Sequence, residues 1–316
     1  MTTTKGIRAL NNQARAYLSD YRGVYADTTY TEITRRLRRI NDEITRLGLP
    51  ADYSAITPEQ IRTYAVFIRS KKISQKALAY DLSTLGKICV YYGNDCVDRA
   101  KAKYPLIFHV PPRSKLPPMA RGETSELIAK ISAIKAPYKS VRAGAVTMLV
   151  LGAGLRTIEA RYCEITKLNI QKWTLILQRV KGSGTYGQSR EIPILPEVRP
   201  YLLYFLSLRA HQPPTVAESR YIFASPIDGL PLSTNTLRRD KDRLIKRIGI
   251  DYDYRKLRRT YGQILVDSGA DIQAVSMVMG HASTRTTEAY YARLRADYAL
   301  ADILTIFDEK EKKEVV

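Results

Sequence analysis

Residues 254–291 read YRKLRRTYGQILVDSGADIQAVSMVMGHASTRTTEAYY, and their spacing organises the reading of the whole chain. Arg255 and Arg258 stand three apart, so a helix carries both on one face. A guanidinium is a planar, permanently charged fork of donors that matches the oxygens of a phosphate. The pattern predicts helices over 255–265 and 271–279, with Gly269 as the break between them. The Gly280-His281 step follows, and His281 is one of only three histidines in the chain. Thr286-Thr287 and the tandem Tyr290-Tyr291 come next. A phosphate grip, a scarce imidazole and a phenol close behind it point to a site where a tyrosine attacks a phosphodiester.

Immediately upstream, residues 233–248 form a strongly basic helical pattern. Leu237, Leu244, Ile245 and Ile248 face inward, and Arg238, Arg239, Lys241, Arg243, Lys246 and Arg247 crowd the other faces. Residues 221–223 read as a short buried strand and 200–209 as a helix. Residues 173–177 alternate as a strand, 180–187 are a glycine-rich turn and 190–194 a return strand, which together make a hairpin. An apolar helix over 138–151 leads into Gly154-Leu155-Arg156-Thr157-Ile158-Glu159. Glu159 is one turn beyond Arg156, within reach to hold it. Thr124-Ser125-Glu126 opens a helix through Leu127, Ile128 and Ile131.

Pro105, Pro111, Pro112, Pro117 and Pro118 predict an extended linker that also carries Arg113 and Lys115. The part before it reads as helical and basic. Ile33, Leu37, Ile40, Ile44 and Leu47 recur at helical spacing. Thr57-Pro58-Glu59-Gln60 supplies a cap, a first-turn proline and a capping-box partner. Ser74 caps a helix through Leu78, Leu82, Leu85 and Ile88. Residues 14–18 read as the start of a further helix. Arg69, Lys71, Lys72 and Lys76 are candidate phosphate contacts.

A net charge of +20 over 316 residues implies a polyanionic partner, nucleic acid above all. No apolar run is long enough to span a bilayer and no signal peptide opens the sequence, so a membrane role is not expected and a cytoplasmic protein is. Cys89, Cys96 and Cys163 are too scattered for a disulfide framework, and His109, His211 and His281 lack metal-ligand spacing. Neither a cofactor nor a metal is expected.

These boxes, in this order, resemble the tyrosine recombinases (the phage integrase family), whose C-terminal signature runs roughly His-x-Leu-Arg-His-Thr, Leu-Gly-His and Thr-Thr-x-x-Tyr. Here it stands as Arg255-Lys256-Leu257-Arg258-Arg259-Thr260, Met279-Gly280-His281 and Thr286-Thr287-Glu288-Ala289-Tyr290. Gly-Leu-Arg-x-x-Glu at 154–159 resembles the family's first box, and Lys181-Gly182 its hairpin lysine. The resemblance implies a mainly α fold with a small antiparallel sheet in the catalytic domain. It implies a two-domain DNA clamp: a helical core-binding domain (1–105), a proline-rich linker (106–120) and a catalytic domain with a C-terminal tail (121–316). The basic helix over 233–248 would lie along a DNA groove. The implied catalytic set is Arg156, Lys181, Arg255, Arg258, His281 and Tyr290. Tyr290 would form a 3′-phosphotyrosyl bond, Lys181 would protonate the leaving oxygen, and the arginines would hold the phosphate. The partner is double-stranded DNA bearing specific recombination sites, and the protein would be a homo-tetramer in the synaptic complex and a monomer or dimer when free.

One departure stands out: the family's first histidine is Arg255, which stays protonated and cannot serve as a general base. Integration or excision of a mobile element is the expected role. Xer-type resolution of chromosome or plasmid dimers, a type IB topoisomerase-like activity and a catalytically weakened DNA-binding protein are the alternatives. Tyr291 points about 100° from Tyr290 on a helix, and the paired threonines favour Tyr290.

Overall fold

A computed structural model describes residues 10–71, 73–109, 117–178 and 189–280. The chain divides into two compact units, Met1–Ser114 and Lys115–Val316. The first is entirely helical among the described residues: α1 (Asn12–Asp20), α2 (Asp27–Arg46), α3 (Pro58–Ser70), α4 (Gln75–Tyr91), α5 (Cys96–Lys103) and α6 (Pro105–Phe108). Ile33, Leu37, Ile40 and Ile44 of α2 are buried, as their spacing predicts. Thr57 and Gln60 close a reciprocal capping box at α3, with Thr57 N–H donating to Gln60 Oε1 at 2.9 Å. Ser74 caps α4.

The core of this unit is apolar apart from a few polar groups. Asn94 Nδ2 donates to the carbonyls of Tyr53 and Ile56, each at 2.9 Å. Asp81, fully buried, accepts from Arg39 and from Tyr64 Oη at 3.4 Å. The expected extended linker does not begin at Pro105. That proline takes the first position of α6, where its missing N–H costs nothing. Residues 110–116, with Arg113 and Lys115, and Lys72 lie outside the described residues.

In the second unit the helices are α7 (Arg121–Ser132), α8 (Tyr138–Ala153), α9 (Thr157–Tyr162), α10 (Arg199–Ala210), α11 (Pro214–Ala217), α12 (Thr234–Ile248), α13 (Tyr254–Asp267) and α14 (Ile272–Met279). Every residue of α8 from Val141 to Ala153 is buried, because α10, α12 and α13 pack around it. α7 starts three residues before the expected Thr124. Ala120 is its N-cap, and the Thr124 hydroxyl is satisfied inside the helix by the Ala120 carbonyl at 2.9 Å.

The sheet is antiparallel in the order β1 (Leu168–Asn169), β2 (Thr174–Leu177), β3 (Arg190–Pro193). Leu177 pairs with Arg190 and Leu175 with Ile192. Trp173 drops out of the expected strand into a turn at φ +54°. Residues 221–223 do not form a strand; the backbone there makes only isolated bridges, Glu164 with Tyr221 and Ala224 with Pro231. The buried Arg209 explains this, since its guanidinium takes the carbonyls of Tyr221 and Ile222 that a ladder would need, along with those of Ala217 and Ser219 just before them. No helix among the described residues is long and apolar enough to cross a membrane.

Candidate active site

Gly154 ends α8 in the left-handed region at φ +59°, and a Cβ there would stand 2.4 Å from the Tyr261 ring. The turn it makes brings Arg156 to the N-cap of α9. Glu159 folds back onto that cap: Oε2 accepts the Arg156 backbone N–H at 2.8 Å and Oε1 accepts Arg156 Nη1 at 2.8 Å. The Glu159 side chain is fully buried. Its Oε1 also takes Arg190 Nη2 at 2.9 Å, and Arg258 Nη1 lies 3.6 Å from Oε2. One buried carboxylate is thus ringed by three guanidiniums, from the start of α9, from β3 and from α13.

The same three arginines converge on the C-terminal turn of α14. Helix ends leave their last carbonyls without intrahelical partners, and the dipole makes that end negative. Arg190 Nε donates to the Val278 carbonyl at 2.8 Å, Arg258 Nη2 to that of Met279, and Arg156 Nη2 to that of Gly280 at 2.6 Å. Arg258 Nη1 also donates to the Gly154 carbonyl at 2.5 Å. Gly280 is required twice over. It caps α14 at φ +61°, and a Cβ on it would lie 2.7 Å from the Arg190 guanidinium carbon.

Burial alone would raise the Glu159 carboxyl. Arg190, the Arg156 backbone N–H, Arg258 and the Arg156 side chain together outweigh it and hold the group below its usual range, so Glu159 is ionised. Arg190 and Arg258 are 10% exposed as side chains and Arg156 27%, so Arg156 is the member that opens most to solvent.

Of the residues expected from the sequence, Arg156 and Arg258 come together here. Arg255, one turn before Arg258 on α13, is exposed and makes no hydrogen bond or ion pair among the described residues. Lys181, His281, Thr286-Thr287, Tyr290 and Tyr291 lie outside the described residues, although His281 directly follows Gly280. The sequence reading did not single out Arg190. Its signal was parity: Arg190 shares the inward face of β3 with the buried Ile192 and Ile194, and a charge on that face needs partners.

The basic helix α12 divides its cations. Asp240 is buried and takes Arg142 Nη2 at 3.0 Å, with Arg243 at 3.4 Å. Arg247 donates to the Ala136 carbonyl, and Lys241 to that of Tyr252. Arg238, Arg239 and Lys246 are exposed and unpaired among the described residues. In the first unit, Lys71 is engaged with Glu43 at 2.5 Å.

The model of the phage integrase family matches residues 121–297. Tyrosine recombinase XerC of Rhodospirillum centenum is 30% identical over 176 residues, 55% of this chain; the chain spans about half of that protein's length (49%). Tyrosine recombinase XerC of Lacticaseibacillus casei is 23% identical over 283 residues, which are 87% of this chain and 92% of that protein. Among solved structures, the Tn1549 transposon integrase in complex with transposon right-end DNA superposes with a TM-score of 0.72 at 19% identity, over 93% of this chain and 98% of that one, a likeness of fold. With a family match covering more than half of its length, the chain belongs to the phage integrase family.

Proposed function

We propose that the protein is a site-specific recombinase that cuts and rejoins double-stranded DNA through a 3′-phosphotyrosyl bond, with residues 1–105 as a core-binding domain and 121–316 as the catalytic domain. The observation that carries this reading is the cluster of Arg156, Arg190 and Arg258 on Glu159 and on the last turn of α14, in a member of this family. Three guanidiniums against one carboxylate leave a surplus of two positive charges. A phosphodiester carries one negative charge and gains a second as a phenolate adds to phosphorus. Such a site favours the pentacoordinate state over the ground state, which is what accelerates a reaction.

In this reading the Tyr290 oxygen attacks phosphorus and the 5′-oxygen of the DNA leaves, protonated by Lys181. Arg156 and Arg258 hold the non-bridging oxygens, Arg255 adds a donor, and His281 bonds the phosphate or takes the phenol proton. The phosphotyrosyl bond keeps the energy of the diester, so a DNA 5′-hydroxyl reseals it without ATP or a divalent metal. The net charge of +20 supports a DNA partner, and strand exchange between two duplexes calls for a homo-tetramer in synapsis.

Integration or excision of a mobile element is the role we favour, on the replacement of the family's histidine by Arg255. The 30% identity to a XerC supports dimer resolution as a second reading. A nicked suicide duplex tests the chemistry. Wild-type protein is expected to form a covalent adduct with EDTA present throughout, and Tyr290→Phe to bind the duplex without forming it. Adduct formation by Tyr290→Phe, or failure of wild type to form the adduct in EDTA, would sink the scheme.

A further inference from the structure

We infer that Arg190 is a positioning residue for strand cleavage, fixing the orientation in which Arg156 and Arg258 meet the scissile phosphate; the inference rests on reading the cluster as the cleavage centre. Arg190 is the first residue of β3, paired with Leu177 across the sheet. Its side chain leaves the sheet on the buried face and donates to protein acceptors, the Val278 carbonyl through Nε and Glu159 Oε1 through Nη2. These bonds join three separate pieces of chain: the sheet, the cap of α9 and the last turn of α14.

Each partner of Arg190 is next to a partner of Arg156. Arg156 shares Glu159 Oε1 with it, and donates to the Gly280 carbonyl two residues beyond Val278. Glu159 offers few lone pairs. With Arg190 in place, Oε1 is held between two guanidiniums and Arg258 stays at 3.6 Å from Oε2. Without it, Oε1 is half-vacant and the α14 turn loses one of its three tethers. Arg156 and Arg258 are then free to close on the carboxylate and turn away from the ligand. Gly280 reports the same constraint from the other side, since any Cβ there would push the Arg190 guanidinium off its partners.

A lysine at 190 keeps the charge, but its single nitrogen cannot serve acceptors that a guanidinium spans with two. Arg190→Lys should therefore bind the duplex as wild type does, yet cleave it about 10²-fold more slowly in single turnover, the scale of a misplaced catalytic group. The distinguishing substrate replaces a non-bridging oxygen of the scissile phosphate with methyl. This neutral methylphosphonate offers much less charge for an arginine clamp to stabilise. If Arg190 acts through the clamp, the ratio of variant to wild-type rate rises towards one on methylphosphonate, as it should for Arg156→Ala. An equal loss on both substrates, or no loss on either, overturns the inference and leaves Arg190 as a fold residue or a bystander. If Arg190→Lys does not fold, Gly280→Ala, which displaces the same guanidinium, is read on the same two substrates with the same criteria. Failure of wild type to form an adduct on either substrate refutes the recombinase reading itself, a result distinct from these.

Discussion

Among the described residues each unit buries one carboxylate completely, and the two carboxyls are shifted in opposite directions. In the first unit Asp81 meets one close guanidinium, Arg39, and the Tyr64 hydroxyl at 3.4 Å. Burial pushes its carboxyl above the usual range, and Arg39 offsets that only in part. In the second unit burial pushes Glu159 the same way, but three arginines and a backbone N–H reverse the shift. The difference is the ratio of cations to anion. A cross-link that serves only the fold can balance charge one to one, as Arg39 with Asp81 does, because any surplus has to be desolvated without return. The Glu159 cluster carries a surplus, which is stable in the free protein only because the three arginines also use backbone carbonyls. That arrangement suits a site that awaits an anion.

Removing each anion separates the two cases most sharply. Glu159→Gln leaves three guanidiniums facing one another around a neutral amide, and should destabilise the second unit by about 3–5 kcal/mol, the cost of breaking a buried ion pair from one side. Asp81→Asn leaves Arg39, whose side chain is 25% exposed and can turn to water, and should cost about 1–3 kcal/mol. Urea unfolding followed by the fluorescence of Trp173, the chain's one tryptophan, half-buried against the second unit's core, reads the first. Hydrogen exchange of α2 and α4 amides reads the other. Equal costs would remove the contrast.

Acid tests the same contrast without mutation. Glu159 has a depressed value, so the stability it contributes is present above the ordinary glutamate value of 4.5 and is lost as pH falls through the lower folded value. Asp81 has a raised value, so its contribution is present below the ordinary aspartate value of 3.8 and is lost as pH rises through the higher folded value. As pH drops through about 4.5 and below, the second unit weakens while Asp81 favours the first. Trp173 fluorescence should therefore change at a higher pH than exchange protection in α2 and α4 is lost. The reverse order would show that other groups set the acid response.

How far such features can be read from sequence depends on how local they are. The faces of α2 and α3 and the caps at Thr57 and Ser74 are set within a turn or two, and the sequence shows them. Arg156 with Glu159 is also local, an i,i+3 pair, and was legible for that reason. Arg190 and Val278 are 88 residues apart, and nothing near either one announces the other. Only the strand parity of Arg190 hinted that its charge was turned inward. α5, with Cys96, Val97 and Ala100 as its buried face, and the two-residue β1 are too short to show a period. Residues 221–223 have strand composition, but an arginine elsewhere in sequence took the carbonyls a strand would have used. The alternation of apolar residues sees none of that.

The smallest effect expected is at Arg255, and it sets two arginines of one helix against each other. Arg258 is buried in the cluster, while Arg255, one turn earlier, is exposed and unpaired among the described residues. A donor pre-placed in a water-excluded site contributes about 10²-fold or more to rate. An exposed arginine that must first be ordered by the DNA falls below that, and Arg255→His should slow single-turnover cleavage about tenfold at pH 7. The histidine would be shorter and mostly neutral, with Lys256 next to it in sequence and Arg259 one turn on along α13 to disfavour its charged form. If Arg255 instead occupies the place of a lost general base, histidine should match or exceed the wild-type rate at pH 7 and add a titration near neutrality to the pH–rate profile. A profile on the suicide duplex, wild type against Arg255→His, separates the two. A variant as fast as wild type would mean that the surplus positive charge that matters is confined to the three arginines on Glu159.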